Sequence, residues 1–167
     1  MKRIEPKDIT SYKDPFRLFA EGALTVVESD GEIDPMTIGW GGLGILWSKM
    51  VATVYIHATR YSKILFDKAD RFAICFFDDS EESKKALQYC GSVSLRDEDK
   101  VKGSGLTLTH IDGAPAFMEA SLVIVCDKIG QSDFDPTKVE VSRIKAWYGK
   151  DGPHTIYQGE IKAVYVK

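Results

Sequence analysis

The chain has 167 residues and is short of several things at once. Cysteine and histidine occur three times each and proline six times. The cysteines, Cys75, Cys90 and Cys126, are odd in number and form no Cys-x-x-Cys, so neither a disulfide framework nor a zinc site is supported. Reduced structural thiols in a cytoplasmic protein are the expectation. The histidines, His57, His110 and His154, are far apart and lack metal-ligand spacing. No apolar run approaches the ~20 residues of a membrane span. Met1-Lys2-Arg3-Ile4-Glu5-Pro6-Lys7-Asp8 has no apolar segment behind its charges, unlike a signal peptide. Neither sign of charge dominates: 22 Lys and Arg face 25 Asp and Glu. With a pI near 5.6 there is no electrostatic reason to expect a nucleic acid partner. Gly-x-Ser-x-Gly, His-Glu-x-x-His and the P-loop pattern are all missing. Unaided side-chain catalysis has no visible candidate set, so an enzyme built on this chain would borrow a cofactor.

What the sequence does have is apolar and aromatic content, 44% and 11%, enough for a globular core and too much for a disordered chain. One domain over 1–167 is expected. Strands read at 23–28, 35–40, 51–57, 72–77, 120–128 and 154–167, with Asp30-Gly31 turning the first into the second. In the third, Ala52, Val54 and Ile56 share one face, while Val51, Thr53, Tyr55 and His57 share the other. Short helices are expected at 63–69 and from Asp79 to about Cys90, the latter opened by an Asp79/Glu82 capping box and closed by Gly91. The charged run 96–102 reads as an exposed helical turn. The segment 134–149 is helix or strand with equal support. Strands do not alternate regularly with long helices, which argues against a doubly wound sheet. The expected class is mainly β with short helices, a hairpin-built barrel with helices over its ends.

Three places could carry chemistry. Gly39-Trp40-Gly41-Gly42-Leu43-Gly44 spells G-x-G-x-x-G, but a β-branched strand follows instead of the helix that a dinucleotide site needs. It reads as a flexible hairpin connection, or as a loop whose bare backbone admits a flat ligand. Arg60-Tyr61-Ser62 lies between a strand and a helix start. Arg60 offers a charged fork, and Thr59 and Ser62 offer hydroxyls, a set that could hold one phosphate. The plainer alternative makes Ser62 an N-cap and Arg60 a surface charge. His154, after Gly152-Pro153, is a polar group at the barrel rim or a donor near a ligand.

Several stretches together resemble the flavin reductase-like, FMN-binding split-barrel family, which includes flavoredoxin-like proteins. Met36-Thr37-Ile38-Gly39-Trp40 is similar to the family strand N-x-M-T-I-S-W that lies along the flavin. Trp47-Ser48-Lys49-Met50 stands where the family has a loop ending in proline. Tyr55-Ile56-His57-Ala58-Thr59-Arg60-Tyr61-Ser62 resembles its strand and R-x-[ST] phosphate corner. Ser94-Leu95-Arg96-Asp97-Glu98-Asp99-Lys100 resembles S-G-R-D-x-D-K, followed by Gly105-Leu106-Thr107. The run from Gly152 to Ile161 resembles the closing G-D-H-x-x-x-x-G-E-V strand. The matches fall in family order along most of the chain.

The resemblance implies a homodimeric FMN-binding split β-barrel with the flavin near the subunit interface. It implies cofactor contacts from Met36, Thr37, Ile38, Gly39, Trp40, Trp47, Ser48, Lys49, Arg60, Tyr61, Ser62 and Lys100, with His154 at the reacting face. The activity implied is that of an NAD(P)H-dependent flavin reductase taking NADH or NADPH. The alternatives are an FMN-containing electron-transfer protein with a redox partner and no nicotinamide site of its own, and a split barrel binding another flat ligand or only a partner chain. The chain departs from the family pattern at Asp34 (usually Asn), Gly39 (usually Ser), Met50 (usually Pro) and Leu95 (usually Gly).

Overall fold

A computed structural model describes residues 1–148 and 152–167. The elements run β1 (Lys2–Ile4), a 3-10 turn (Pro6–Ser11), α1 (Pro15–Ala20), β2 (Ala23–Ser29), β3 (Glu32–Ile38), β4 (Gly41–Leu46) and β5 (Lys49–His57). There follow α2 (Ser62–Lys68), β6 (Arg71–Phe76), α3 (Glu81–Ser92), α4 (Lys100–Gly103), β7 (Leu108–Ile111) and β8 (Ala114–Phe117). The last elements are β9 (Leu122–Asp133), a 3-10 turn (Pro136–Lys138), α5 (Val141–Trp147) and β10 (His154–Val166). An antiparallel sheet carries the order β3-β2-β6-β9-β10-β5-β4, with β1 added alongside β10. β3 and β4 lie at its two ends although only Gly39 and Trp40 separate them in the chain. The sheet therefore curls until its ends approach without pairing, which is a split barrel.

Two features of sequence drive the curl. β10 is 13 residues long and carries register shifts at Gln158/Gly159 and Ile161/Ala163, and such bulges bend and twist a strand. The sheet is also wanted on both faces. Phe72, Ile74 and Phe76 of β6 enter the core inside the barrel, while Ala73 and Cys75 enter a second core under α3, β7 and β8. An unbroken apolar strand is what a doubly covered position requires. Leu18 and Phe19 of α1 plug the barrel end, with Phe19 edge-on to Phe76 at 5.5 Å.

The hairpins show the same turn chemistry three times. Asp30-Gly31, Trp47-Ser48 and Asp112-Gly113 each separate directly paired strand ends, and all six residues have positive φ. Two left-handed residues give the turn whose twist suits a hairpin. The three cysteines are buried, and burial pushes the Cys75 thiol up to about 12 and Cys90 up to about 11.

Several expectations need correction. The glycine-rich run is neither a flexible connection nor a loop: Gly41 to Leu46 is strand β4, paired along its length with β5. Helix α3 starts at Glu81 with Ser80 as its cap, since the Ser80 hydroxyl accepts from the Ser83 N–H at 3.2 Å, so Asp79 does not open it. Gly91 lies inside α3, not after it. A Cβ there would stand 3.2 Å from the Thr37 Cβ, so the glycine serves close packing of α3 on β3. The run 96–102 is not a wholly solvated turn, because Lys100 is buried. The ambiguous segment contains helix α5 rather than a strand, and Gly149 lies outside the described residues. Sequence reading missed β1, α1, β4 and the β7–β8 hairpin.

Gly41 is required by packing. A Cβ there would lie 2.2 Å from Cε1 of Phe19 and 2.8 Å from the Thr53 carbonyl oxygen, whereas at Gly42 nothing lies within 4 Å. Gly41→Ala is expected to lower stability by about 1–3 kcal/mol through overpacking. Gly42→Ala is expected to change it by less than about 0.5 kcal/mol. Urea midpoints of the two variants check the pair, and equal losses would reject this account of β4.

Candidate functional site

The seam between the sheet ends forms a cleft of about 430 Å3 lined by Met36, Thr37, Ile38, Gly39, Trp40, Tyr55, His57, Thr59, Arg60 and His154. Three elements supply it. β3 runs into the Gly39-Trp40 crossover. β5 turns Ala52, Val54 and Ile56 into the core, which leaves Tyr55 and His57 facing the cleft. β10 begins at His154, directly across from His57. Their rings meet edge to face at 5.0 Å. Trp40 lies 4.9 Å from His154, and from α5 and the residue after it Trp147 meets Trp40 at 5.1 Å and Tyr148 meets His154 at 5.4 Å. The cleft is thus walled by flat side chains.

A second, smaller pocket of about 140 Å3 shares Met36, Thr59 and Arg60 with the first and continues to Tyr61, Ser94, Arg96 and Lys100. The Arg60 guanidinium is steadied by donation to the Gly91 carbonyl at 3.0 Å. Arg96 lies over the Tyr61 ring, 5.0 Å from its centre, and the Tyr61 hydroxyl donates to Glu32. Ser62 is not the cap of α2: it is buried, and its hydroxyl donates to Asp34 at 2.6 Å. Lys100 donates to the other oxygen of Asp34 at 2.7 Å. Helix α2 spans only two turns, so charge at this corner comes from side chains.

Met36, Thr37, Ile38, Gly39, Trp40, Arg60 and His154 come together in the larger cleft, and Tyr61, Ser62 and Lys100 line the smaller pocket. Thr37 is already committed through its hydroxyl to the Leu87 carbonyl. Trp47, Ser48 and Lys49 do not join them within one chain. They form the β4–β5 turn and the start of β5, six or more residues from Tyr55, which is about 20 Å along a strand. Trp47 is exposed, and Lys49 pairs with Glu160. Sequence reading placed Tyr55, His57 and Arg96 in family-like stretches without naming them as site residues, and noted Asp34 only as a departure from the family's Asn. The alternation in β5 was the available signal for Tyr55 and His57, since a strand with one face in the core must point its other face somewhere.

His154 is half-buried, and its Nδ1 is shut from solvent without a hydrogen-bond partner among the described residues. A buried polar atom left unpaired is costly, and a ligand group in the cleft would satisfy it. The combination fits a flavin mononucleotide: an aromatic slot for a flat ring system, an orphaned ring nitrogen on its wall, and a cationic pocket at one end for a phosphate.

No protein-family model matches the sequence, and no curated protein matches it. Solved structures do match the fold. An FMN-binding domain of a flavin reductase-like enzyme from Shewanella baltica is 16% identical, with a TM-score of 0.70, over 99% of this chain and 76% of that one. Flavoredoxin of Desulfovibrio vulgaris is 22% identical, with a TM-score of 0.66, over 87% and 69%. An NADH:FAD oxidoreductase of Streptomyces globisporus is 16% identical, with a TM-score of 0.67, over 100% and 88%. The chain has the flavin reductase-like, FMN-binding split-barrel fold. Among the described residues no helix is long and apolar enough to cross a membrane.

Burial first, then the proximity of His57 and Arg60, pushes the His154 pKa from 6.5 down to about 4. The unfolded chain protonates this group near 6.5 and the folded one only near 4, so between those values the unfolded state binds more protons. Stability from this site is complete above 6.5 and is lost as pH falls toward 4. His154→Gln is expected to flatten that decline. Urea midpoints of wild type and variant across the window measure it, and parallel curves would reject the assignment.

Proposed function

We propose that this chain is an FMN-binding flavoprotein and an NAD(P)H-dependent flavin reductase, taking NADH or NADPH. The observation that carries the reading is the junction at Thr59-Arg60, where an aromatic cleft meets a cationic pocket of phosphate size. Bound FMN would accept hydride and pass its electrons on, and that chemistry belongs to the cofactor. The chain's own residues bind, orient and enclose. Trp40 and Tyr55 bound the slot for the ring system. Arg60 and Arg96 supply the charge that selects a phosphate over a bare ribityl chain. His154, held neutral at physiological pH, presents an imidazole that exchanges hydrogen bonds without adding charge beside the ring. The resemblance in fold to flavin reductases supports this reading.

A second reading is an electron-transfer flavoprotein served by a redox partner protein. Trp147 and Tyr148 favour it, because they pack on Trp40 and His154 at the wall of the cleft, where they would crowd a second flat ligand. Anaerobic addition of NADH or NADPH to FMN-loaded protein separates the two. The reductase is expected to bleach its flavin band, with His154→Ala slowing the bleach more than it weakens FMN binding. Bleaching by dithionite alone selects the carrier. Arg60→Ala is expected to weaken FMN binding by about 1.5–3 kcal/mol, roughly 10- to 150-fold, and to leave riboflavin binding unchanged. Equal losses for both flavins would make Arg60 a support of the fold.

The working form proposed is a homodimer. Ile45 and Trp47 stand about 70% exposed in a stretch, 39–48, without a single charge, and a surface of that kind is normally covered. In such an assembly Trp47, Ser48 and Lys49 would reach a flavin only from the partner subunit. Light scattering giving a monomer for the flavin-loaded protein would overturn this.

A further inference from the structure

The smaller pocket holds one charged pair removed from water. The side chains of Asp34 and Lys100 are 1% and 3% exposed. Both carboxylate oxygens of Asp34 are occupied, one by the Lys100 ammonium and the other by the Ser62 hydroxyl. Neither partner is free to swing. Asp34 lies in β3 in register with Val27, and Lys100 begins α4, whose cap Asp99 accepts from the Lys102 N–H at 3.1 Å. Breaking a buried pair by moving one partner away leaves a bare charge in a dry site, which is strongly unfavourable. Arg60 and Arg96 face the same pocket, and among the described residues neither has a carboxylate partner there.

We infer that Asp34 sets how tightly the pocket holds a phosphate, by pairing with Lys100 and withdrawing that cation from the anion. Arg60 and Arg96 then remain as the two charges that match a phosphomonoester dianion. The inference rests on the reading that this pocket takes the phosphate of FMN. Its consequence is a flavin held less firmly than three cations would hold it, which suits a flavin that exchanges.

Removing the negative charge while keeping the shape frees Lys100. Asp34→Asn is therefore expected to raise the preference for FMN over riboflavin at least about tenfold, the size of one added charge-assisted bond. The double variant Asp34→Asn with Lys100→Gln removes the pair and leaves the pocket charge as it was. It is expected to return that preference to within about threefold of wild type. Replacing both members of a buried pair by neutral groups is often tolerated, so the double variant decides the matter even where the single one does not fold. Quenching of flavin fluorescence by the protein, titrated with FMN and with riboflavin, gives the ratios directly. An unchanged or lower preference in Asp34→Asn overturns the inference. So does a tenfold loss in the double variant, which would put Lys100 on the phosphate. If wild type prefers FMN and Arg60→Ala abolishes that preference while Asp34→Asn leaves it unmoved, the inference alone fails. If wild type shows no preference, the phosphate reading fails with it.

Discussion

The two-residue link between β3 and β4 is the constraint on which the rest of the molecule depends. Strands joined so closely normally pair as a hairpin, yet these stand at opposite ends of the sheet order. The chain can satisfy that only by bending the intervening strands until the ends approach. Long strands with bulges supply the bend, and a core on the inside and another on the outside hold it. The seam cannot zip shut, because Gly39 and Trp40 are spent on the crossing. An open seam in a barrel is a cleft with backbone on one wall and the outward faces of β5 and β10 on the other. The site is thus a consequence of the connection and was not carved from a finished barrel.

The chemistry at the seam is graded along its length. At one end the side chains are flat and the charges are few, and His154 stays neutral because burial, with His57 and Arg60 beside it, opposes its protonation. At the other end arginines and a lysine gather, with Asp34 set among them. A ligand that is planar at one end and anionic at the other matches that gradient, and a planar cation would not. The exposed turn 47–48 lies outside the gradient, some 20 Å along β5. Its exposed apolar side chains bound neither the cleft nor the smaller pocket.

Much of this was legible from residue order. The period of two in β5 separated core from cleft residues, the apolar β6 announced a strand covered on both faces, and Asp30-Gly31 announced its turn. What stayed hidden has physical reasons. β4 looked like a loop because glycine carries no strand signal; here it is needed where Phe19 crosses at Gly41. Gly91 looked like a helix stop, since close helix–strand packing and a C-cap ask for the same residue. Lys100 sat in a run of charges that reads as solvated, and only its partner 66 residues away makes it buried. Pairings that span the chain leave no local trace, so the resemblance could name Lys100 without showing what it touches.

The buried pair also bears on why the corner is built from ions at all. A hydrophobic pair of similar volume would often be as stable, because desolvation of two charges offsets most of their attraction. Asp34, Lys100 and Ser62 come from β3, α4 and α2, so the ion pair and the serine hydrogen bond tie three elements together at one carboxylate. A carboxylate with two committed oxygens adds a directional constraint to the apolar packing of these elements. Through Ser62 the same carboxylate also ties β3, which lines the aromatic cleft, to the start of α2, next to Arg60, and so reinforces a placement that the pairing of β3 with β2 already sets. The spacing of the aromatic cleft and the smaller pocket benefits from that added constraint. A ligand spanning both would need that spacing held constant, and an ion pair shut from water resists its change.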